Sequence, residues 1–157
     1  MSVAVWYRSA RPVPEAIRRA ILDDTASLPP LPWYEPVHFT EDQRYPGHLC
    51  GWSKAPGLSY QTDDGQVRPI TTEDWCFMDY RGFSALVGHL QAWSRSHGVT
   101  WIITAEESTL GRIADGKPGW WLRRYVRRAA LLARASGDEA TDAARASELR
   151  SRYPGLE

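Results

Sequence analysis

Residues 83–93 constrain this chain more than any other stretch. With Phe83 as zero and about 100° per residue, Leu86, Val87, Leu90 and Trp93 fall within an arc of about 120°, while Gln91, Arg95 and Ser96 fall outside it. Such a segment is a helix with one face against a core. Thr71-Thr72-Glu73-Asp74 opens it with an N-cap hydroxyl and first-turn acids, and Gly98 stops it with a residue suited to the left-handed position. Val99 to Thr104, apolar or β-branched, then predicts a central strand.

The segments on either side follow from the same periodicities. Val3, Val5 and Tyr7 alternate with Ala4, Trp6 and Arg8, which predicts an internal strand with apolar residues on both faces. Pro14 suits the first turn of a helix over 14–28, whose apolar side carries Ile17, Ile21 and Leu28. Asp24 falls on that side too, so either the helix ends near Asp23-Asp24 or Asp24 is a buried functional carboxylate. Residues 33–40, 49–53, 58–62 and 66–70 are short strand candidates, and Asp63-Asp64-Gly65 predicts a tight hairpin between the last two. A loop is expected over 105–119, a helix over 120–135, and a polar helix after Ser136-Gly137-Asp138 that ends before Pro154. The order β-α-β-β-β-β-α-β-α-α predicts a single α+β domain over residues 1–157, with a mainly antiparallel sheet, helices on one face, and residues 136–157 as a helical C-terminal extension.

Composition narrows the class. In 157 residues, 43% are hydrophobic and 24% charged, which excludes a disordered chain and a collagen-like repeat. Cys50 and Cys76 lie outside any C-x-x-C pair, so free, buried thiols are expected and a disulfide scaffold is excluded. No apolar run approaches the roughly 18–20 residues that span a bilayer, and residues 1–8 lack the pattern of a signal peptide, so the expected location is cytoplasmic, away from membranes. The 19 basic and 19 acidic side chains balance overall, which excludes a globally basic nucleic-acid binder. They do not balance by position. Residues 1–78 carry 7 basic and 10 acidic side chains, and residues 79–157 carry 12 and 9.

Several segments invite a chemical reading. Gly111 to Lys117 matches the first seven positions of a phosphate-binding loop, but Pro118 supplies neither a hydroxyl for magnesium nor an N–H for phosphate, so a connecting loop is expected. His38, Glu41, His48 and Cys50 are dense in potential ligands, yet their spacing matches no zinc motif. His38 and His48 also suit an acid/base pair, with help from Glu41 or from Glu106 and Glu107 beyond the central strand. No Ser-His-Asp set accompanies Ser108, while His89 and His97 have structural roles on their helix. No cofactor motif is present, and none is expected.

The helix over 120–135 carries the most unusual pattern. With Leu122 as zero, Tyr125, Val126, Ala129, Ala130, Leu132 and Ala133 occupy one arc of about 160°. Arg123, Arg124, Arg127, Arg128 and Arg134 occupy the opposite one, together with Trp120 and Leu131. Trp and Arg side by side on a surface mark a protein interface, and Arg also suits phosphate. Alternatively the final helix, with Asp138, Glu139, Asp142 and Glu148, folds back and neutralises this face.

A small α+β chain with many Trp, no complete catalytic motif and polar helices at its end resembles the immunity proteins that neutralise bacterial toxins. That likeness implies a cytoplasmic bacterial binding protein without catalytic activity, whose partner is a protein such as a toxin, with Trp120, Arg123, Arg124, Arg127, Arg128 and Leu131 as the binding face. Two alternatives stand beside it. One is a hydrolase or lyase acting on a phosphodiester or metabolite through His38 and His48. The other is nucleic-acid binding by the arginines.

Overall fold

The computed structural model describes residues 3–156. In chain order the elements are β1 (Ala4–Ser9), α1 (Glu15–Ala26), β2 (Phe39–Thr40), β3 (Cys50–Lys54), β4 (Ser59–Gln61), β5 (Val67–Pro69), α2 (Thr72–His97), β6 (Trp101–Ala105), β7 (Ser108–Ala114), β8 (Lys117–Pro118), α3 (Trp120–Leu132) and α4 (Glu139–Arg152). This is the expected α+β order, enriched by β7 and β8. Six strands form one antiparallel sheet in the order β2-β3-β1-β6-β7-β8, and β4 and β5 pair as a separate hairpin with Gly65 at positive φ in its turn.

The sheet is central because β1 and β6 are buried on the face that alternation assigns them. Val5, Tyr7, Trp101, Ile103 and Ile113 point to one side and meet Phe83, Leu86, Leu90 and Trp93 of α2, Leu122 of α3 and Ile21 of α1. Burying each large apolar side chain contributes roughly 1.5–3 kcal/mol. Thr71 accepts the Asp74 N–H at the start of α2, and Gly98 ends it at φ 68°, as its sequence predicts. Tyr7 crosses under the adjacent strand, with its hydroxyl accepting from the His38 N–H at 3.0 Å and bonded to Ser53 Oγ at 3.1 Å. The ring fits because residue 51 is glycine: a Cβ there would sit 2.4 Å from the Tyr7 ring and from the His38 carbonyl.

Five expectations are corrected. Residues 105–119 are not a loop: β6 turns through Glu106-Glu107 directly into β7, and Asp115-Gly116, both at positive φ, turns β7 into β8. α1 runs past Asp24 to Ala26, and Asp24 is neither a terminus nor buried, because its carboxylate lies at the surface and accepts the Trp93 indole N–H at 3.2 Å. Residues 33–40 contribute only a two-residue strand, since Trp33 adopts φ 57° and turns into the interior. α3 stops at Leu132 rather than near Ala135, and Leu132 is exposed although the helical wheel places it at the edge of the apolar arc. Both cysteines are free, but only Cys50 is buried; Cys76 is half-buried.

A second, smaller core lies below the first. Phe77 and Met78 of α2, Tyr60 of β4, Trp33, and Leu149 and Tyr153 from the end of the chain meet there. α4 therefore packs on the first half of α2 and on the end of α3, away from the six-stranded sheet. Among the described residues no helix is long and apolar enough to cross a membrane.

Candidate functional site

α3 is held by its inner face alone. Leu122 is fully buried, Tyr125 meets Phe83 edge-on with ring centroids 5.1 Å apart, and Gly111 lets Leu122 approach the backbone of β7. The outer face is left to solvent, and it is not the polar surface an amphipathic helix normally shows. Trp120, Trp121, Leu131 and Leu132 are 55%, 67%, 74% and 59% exposed. Among them stand Arg123, Arg124, Arg127 and Arg128, all exposed. The Arg124 guanidinium lies 5.3 Å from the Trp120 ring centre, and Trp120 meets Trp121 edge-on at 4.6 Å.

The carboxylates of α4 are placed elsewhere. Asp138 caps its own helix by accepting the Thr141 N–H, and Asp142 accepts from the backbone and the hydroxyl of Ser136. Glu139 pairs with Arg81 of α2, which holds its carboxyl below the usual range, and Glu148 pairs with Arg152. None of them reaches the arginine face. Arg134 alone of the five meets a carboxylate, Glu73 of α2 at 3.8 Å, and among the described residues no ion pair involves Arg123, Arg124, Arg127 or Arg128. α4 instead presents Arg145 to the Ala133 and Arg134 carbonyls at 2.6 and 3.2 Å, a cation on the negative end of α3.

The histidines have separate neighbours. His38 is exposed beside Trp52, 5.8 Å between ring centres, while His48 bonds the Ser9 carbonyl through Nδ1 at 2.8 Å and leans on Tyr45. The His38 carbonyl, just before β2, accepts the Trp52 N–H at 3.1 Å, whereas His48 lies in the turn before β3, where its N–H bonds the Tyr45 carbonyl at 3.1 Å. Glu41 is exposed and reaches Arg18 at 3.9 Å. Glu106 and Glu107 form the exposed two-residue turn between β6 and β7. Among the described residues no three of the His, Cys, Asp and Glu side chains are grouped as metal ligands.

Two concave sites have no counterpart in the sequence reading. One is a 270 Å³ groove between α2 and α3, walled by Trp75, Cys76, Tyr125, Arg128 and Leu132, with Asp79 among its lining. Burial pushes the Asp79 carboxyl above its usual range, although the Tyr34 hydroxyl donates to it at 2.5 Å. The Tyr34 hydroxyl is itself raised, first by burial and then by the Asp79 charge. The wheel of α2 held a signal for this residue: Asp79 falls about 40° from Phe83, inside the apolar arc. The other is a 360 Å³ hollow on the sheet face away from the helices, lined by Trp6, Arg8, Tyr45, Ile102, Thr104 and Glu106 among others. No family model, curated protein or solved structure matches the chain.

Proposed function

We propose that the chain is a binding protein, not an enzyme, and that it neutralises a toxin-like protein partner by seating the outer face of α3 on an acidic patch. One observation carries this reading: four arginines without carboxylate partners are interleaved with four exposed large apolar side chains on a single helix. Desolvated Trp, with Arg pairing around it, is the composition of interface hot spots. A 13-residue helix is only about 20 Å long, and a stable interface covers about 800 Å² per partner, so the contact extends from α3 into the adjoining groove at Trp75 and Leu132. The free thiols of Cys50 and Cys76 suit a reducing bacterial cytoplasm as the place of action.

The test begins with capture from the native host and identification of the retained protein, followed by binding measurements with the purified pair. The triple variant Arg124→Glu, Arg127→Glu, Arg128→Glu should keep the circular dichroism and melting behaviour of the parent, because all three side chains are exposed. It should lose partner affinity by roughly a hundredfold or more, given that central interface residues cost about 2 kcal/mol or more each. Unchanged affinity in the folded triple variant overturns the assignment of the face.

A further inference from the structure

The pairing register of the large sheet lays two rows of side chains across its helix-free face. His38, Trp52, Trp6, Thr104 and Thr109 stand side by side in one row, from β2 across β3, β1 and β6 to β7. Cys50, Arg8, Ile102 and Arg112 form the next, two residues along β3, β1 and β6 and therefore about 7 Å away there, and three along β7, where the register shifts by a residue. The first row is aromatic at one end: Trp6 and Trp52 are 6.0 Å apart between ring centres, and Trp6 is 43% exposed. The second is cationic. Arg8 is held 3.9 Å above the Tyr45 ring and Arg112 is exposed, while Lys54, opposite Ala4 on the other side of the aromatic row, lies 5.7 Å from the Trp52 ring.

A sheet face turned to water is normally polar, so two tryptophans and Ile102 there need an account. Cross-strand packing of Trp6 on Trp52 explains part of it. It does not explain the hollow beside them, nor why Arg8, Arg112 and Lys54 make no ion pair among the described residues. In the hollow itself Arg8 and Arg44 face Asp42 and Glu106, and Asp42 is spent on Arg44 at 2.8 Å. We propose that this face binds a short segment of single-stranded RNA, with bases on the aromatic row and phosphates on the cationic row.

The chemistry of both rows fits that occupant. An open antiparallel sheet presenting aromatic rings lets unpaired bases lie flat on it, and guanidinium groups one row away meet the phosphates between them. A duplex keeps its base faces stacked and has nothing to offer Trp6. An apolar peptide would leave the cations unpaired. Glu106, the remaining carboxylate in the hollow, repels phosphate but accepts from the ribose 2′-hydroxyl, the group that separates RNA from DNA. The site uses none of the α3 residues, so it stands or falls independently of the toxin-neutralising reading.

Labelled single-stranded RNA of about eight nucleotides, the DNA of the same sequence, the RNA duplex and an oligoglutamate peptide, each titrated into the full chain at low salt, form the test. Saturable RNA binding with quenching of tryptophan fluorescence is expected, weakening as salt rises. Trp6→Ala should weaken it by roughly tenfold, in line with the loss of one stacked base. Arg112→Glu, at an exposed position, should weaken it without any question of folding, and Glu106→Gln should reduce the preference for RNA over DNA. The α3 triple variant should bind RNA as the parent does. No saturable binding at low salt, equal affinity for the duplex, or no preference for RNA over DNA each overturns the proposal. So does tighter binding of oligoglutamate, which would mark the face as a protein interface, or loss of RNA binding in the α3 triple variant but not with Trp6→Ala.

Discussion

Glu139 of α4 meets Arg81 of α2 in a two-point ion pair, each carboxylate oxygen 3.0 Å from a guanidinium nitrogen. That single pairing directs the first turn of α4 toward α2 and away from the arginines of α3. The formal charge balance of the chain is therefore met by pairs on one side of the molecule and left open on another.

Neighbouring residues at the start of α3 should behave oppositely. Trp120 and Trp121 are exposed, so replacing either by Ala should shift stability by no more than about 0.5 kcal/mol. Leu122 is fully buried, and Leu122→Ala should cost about 2–5 kcal/mol. Urea unfolding of the three single variants checks this, and a large loss with Trp120→Ala or Trp121→Ala would show that the outer face of α3 packs in solution.

Asp74 should contribute to acid sensitivity. Burial pushes its carboxyl up, but donors from Tyr153 at 2.6 Å and Arg152 at 2.8 Å, with help from Thr71, outweigh burial and hold it below the usual range. A carboxyl depressed on folding stabilises the native state above its unfolded value, and that stabilisation is lost as pH falls through the folded value. Tyr153→Phe removes one donor, so it should cost about 1–2 kcal/mol at neutral pH and move the acid unfolding midpoint upward. An unchanged acid midpoint contradicts this role for the hydroxyl.

Asp79 works in the other direction. Its carboxyl is raised, so the native state holds the proton more tightly than the unfolded chain, and stability declines as pH rises from the ordinary carboxylate range through the folded value. Asn still accepts from Tyr34 and has no charge to bury. Asp79→Asn should therefore match the parent in acid and exceed it in urea midpoint at neutral pH; a less stable variant at neutral pH would show that the ionised carboxylate is needed.

Two glycines make a further contrast. Gly111 has φ 150°, and a Cβ there would lie 2.6 Å from Leu122 Cβ, so Gly111→Ala should cost about 1–3 kcal/mol by forcing α3 off β7. Gly88 lies within α2 with nothing near its missing Cβ, and Gly88→Ala should stabilise by about 0.5–1 kcal/mol. Melting temperatures moving in the same direction would contradict the argument.

Where the fold was legible, the signal was local. Thr71 and Gly98 bound α2 through interactions completed within four residues, and Asp64-Gly65 makes its turn unaided. The segment 105–119 was obscured because its first turn uses Glu106 at positive φ, a residue type that gives no turn signal. Its second turn carries the same Asp-Gly pair at 115–116, masked by the likeness of 111–117 to a phosphate loop. The arginine face was visible as a pattern, but its freedom from α4 depends on Arg81, which is remote in sequence from α3. Trp121 escaped notice for a different reason. It borders the apolar arc, and only the placement of α3 on β7 decides on which side of that border it falls.

The small core also sets an order of events during synthesis. Trp33, Tyr60 and Phe77 are made early, yet side chains that cover them, Leu149 and Tyr153, come later in the chain than Leu122. The sheet and its helices can close once Leu122 is available, whereas the hairpin and the first half of α2 stay unclad until α4 arrives. α4 is thus the clasp of a nascent chain, and the interval before it fastens is when this protein most needs shelter from aggregation.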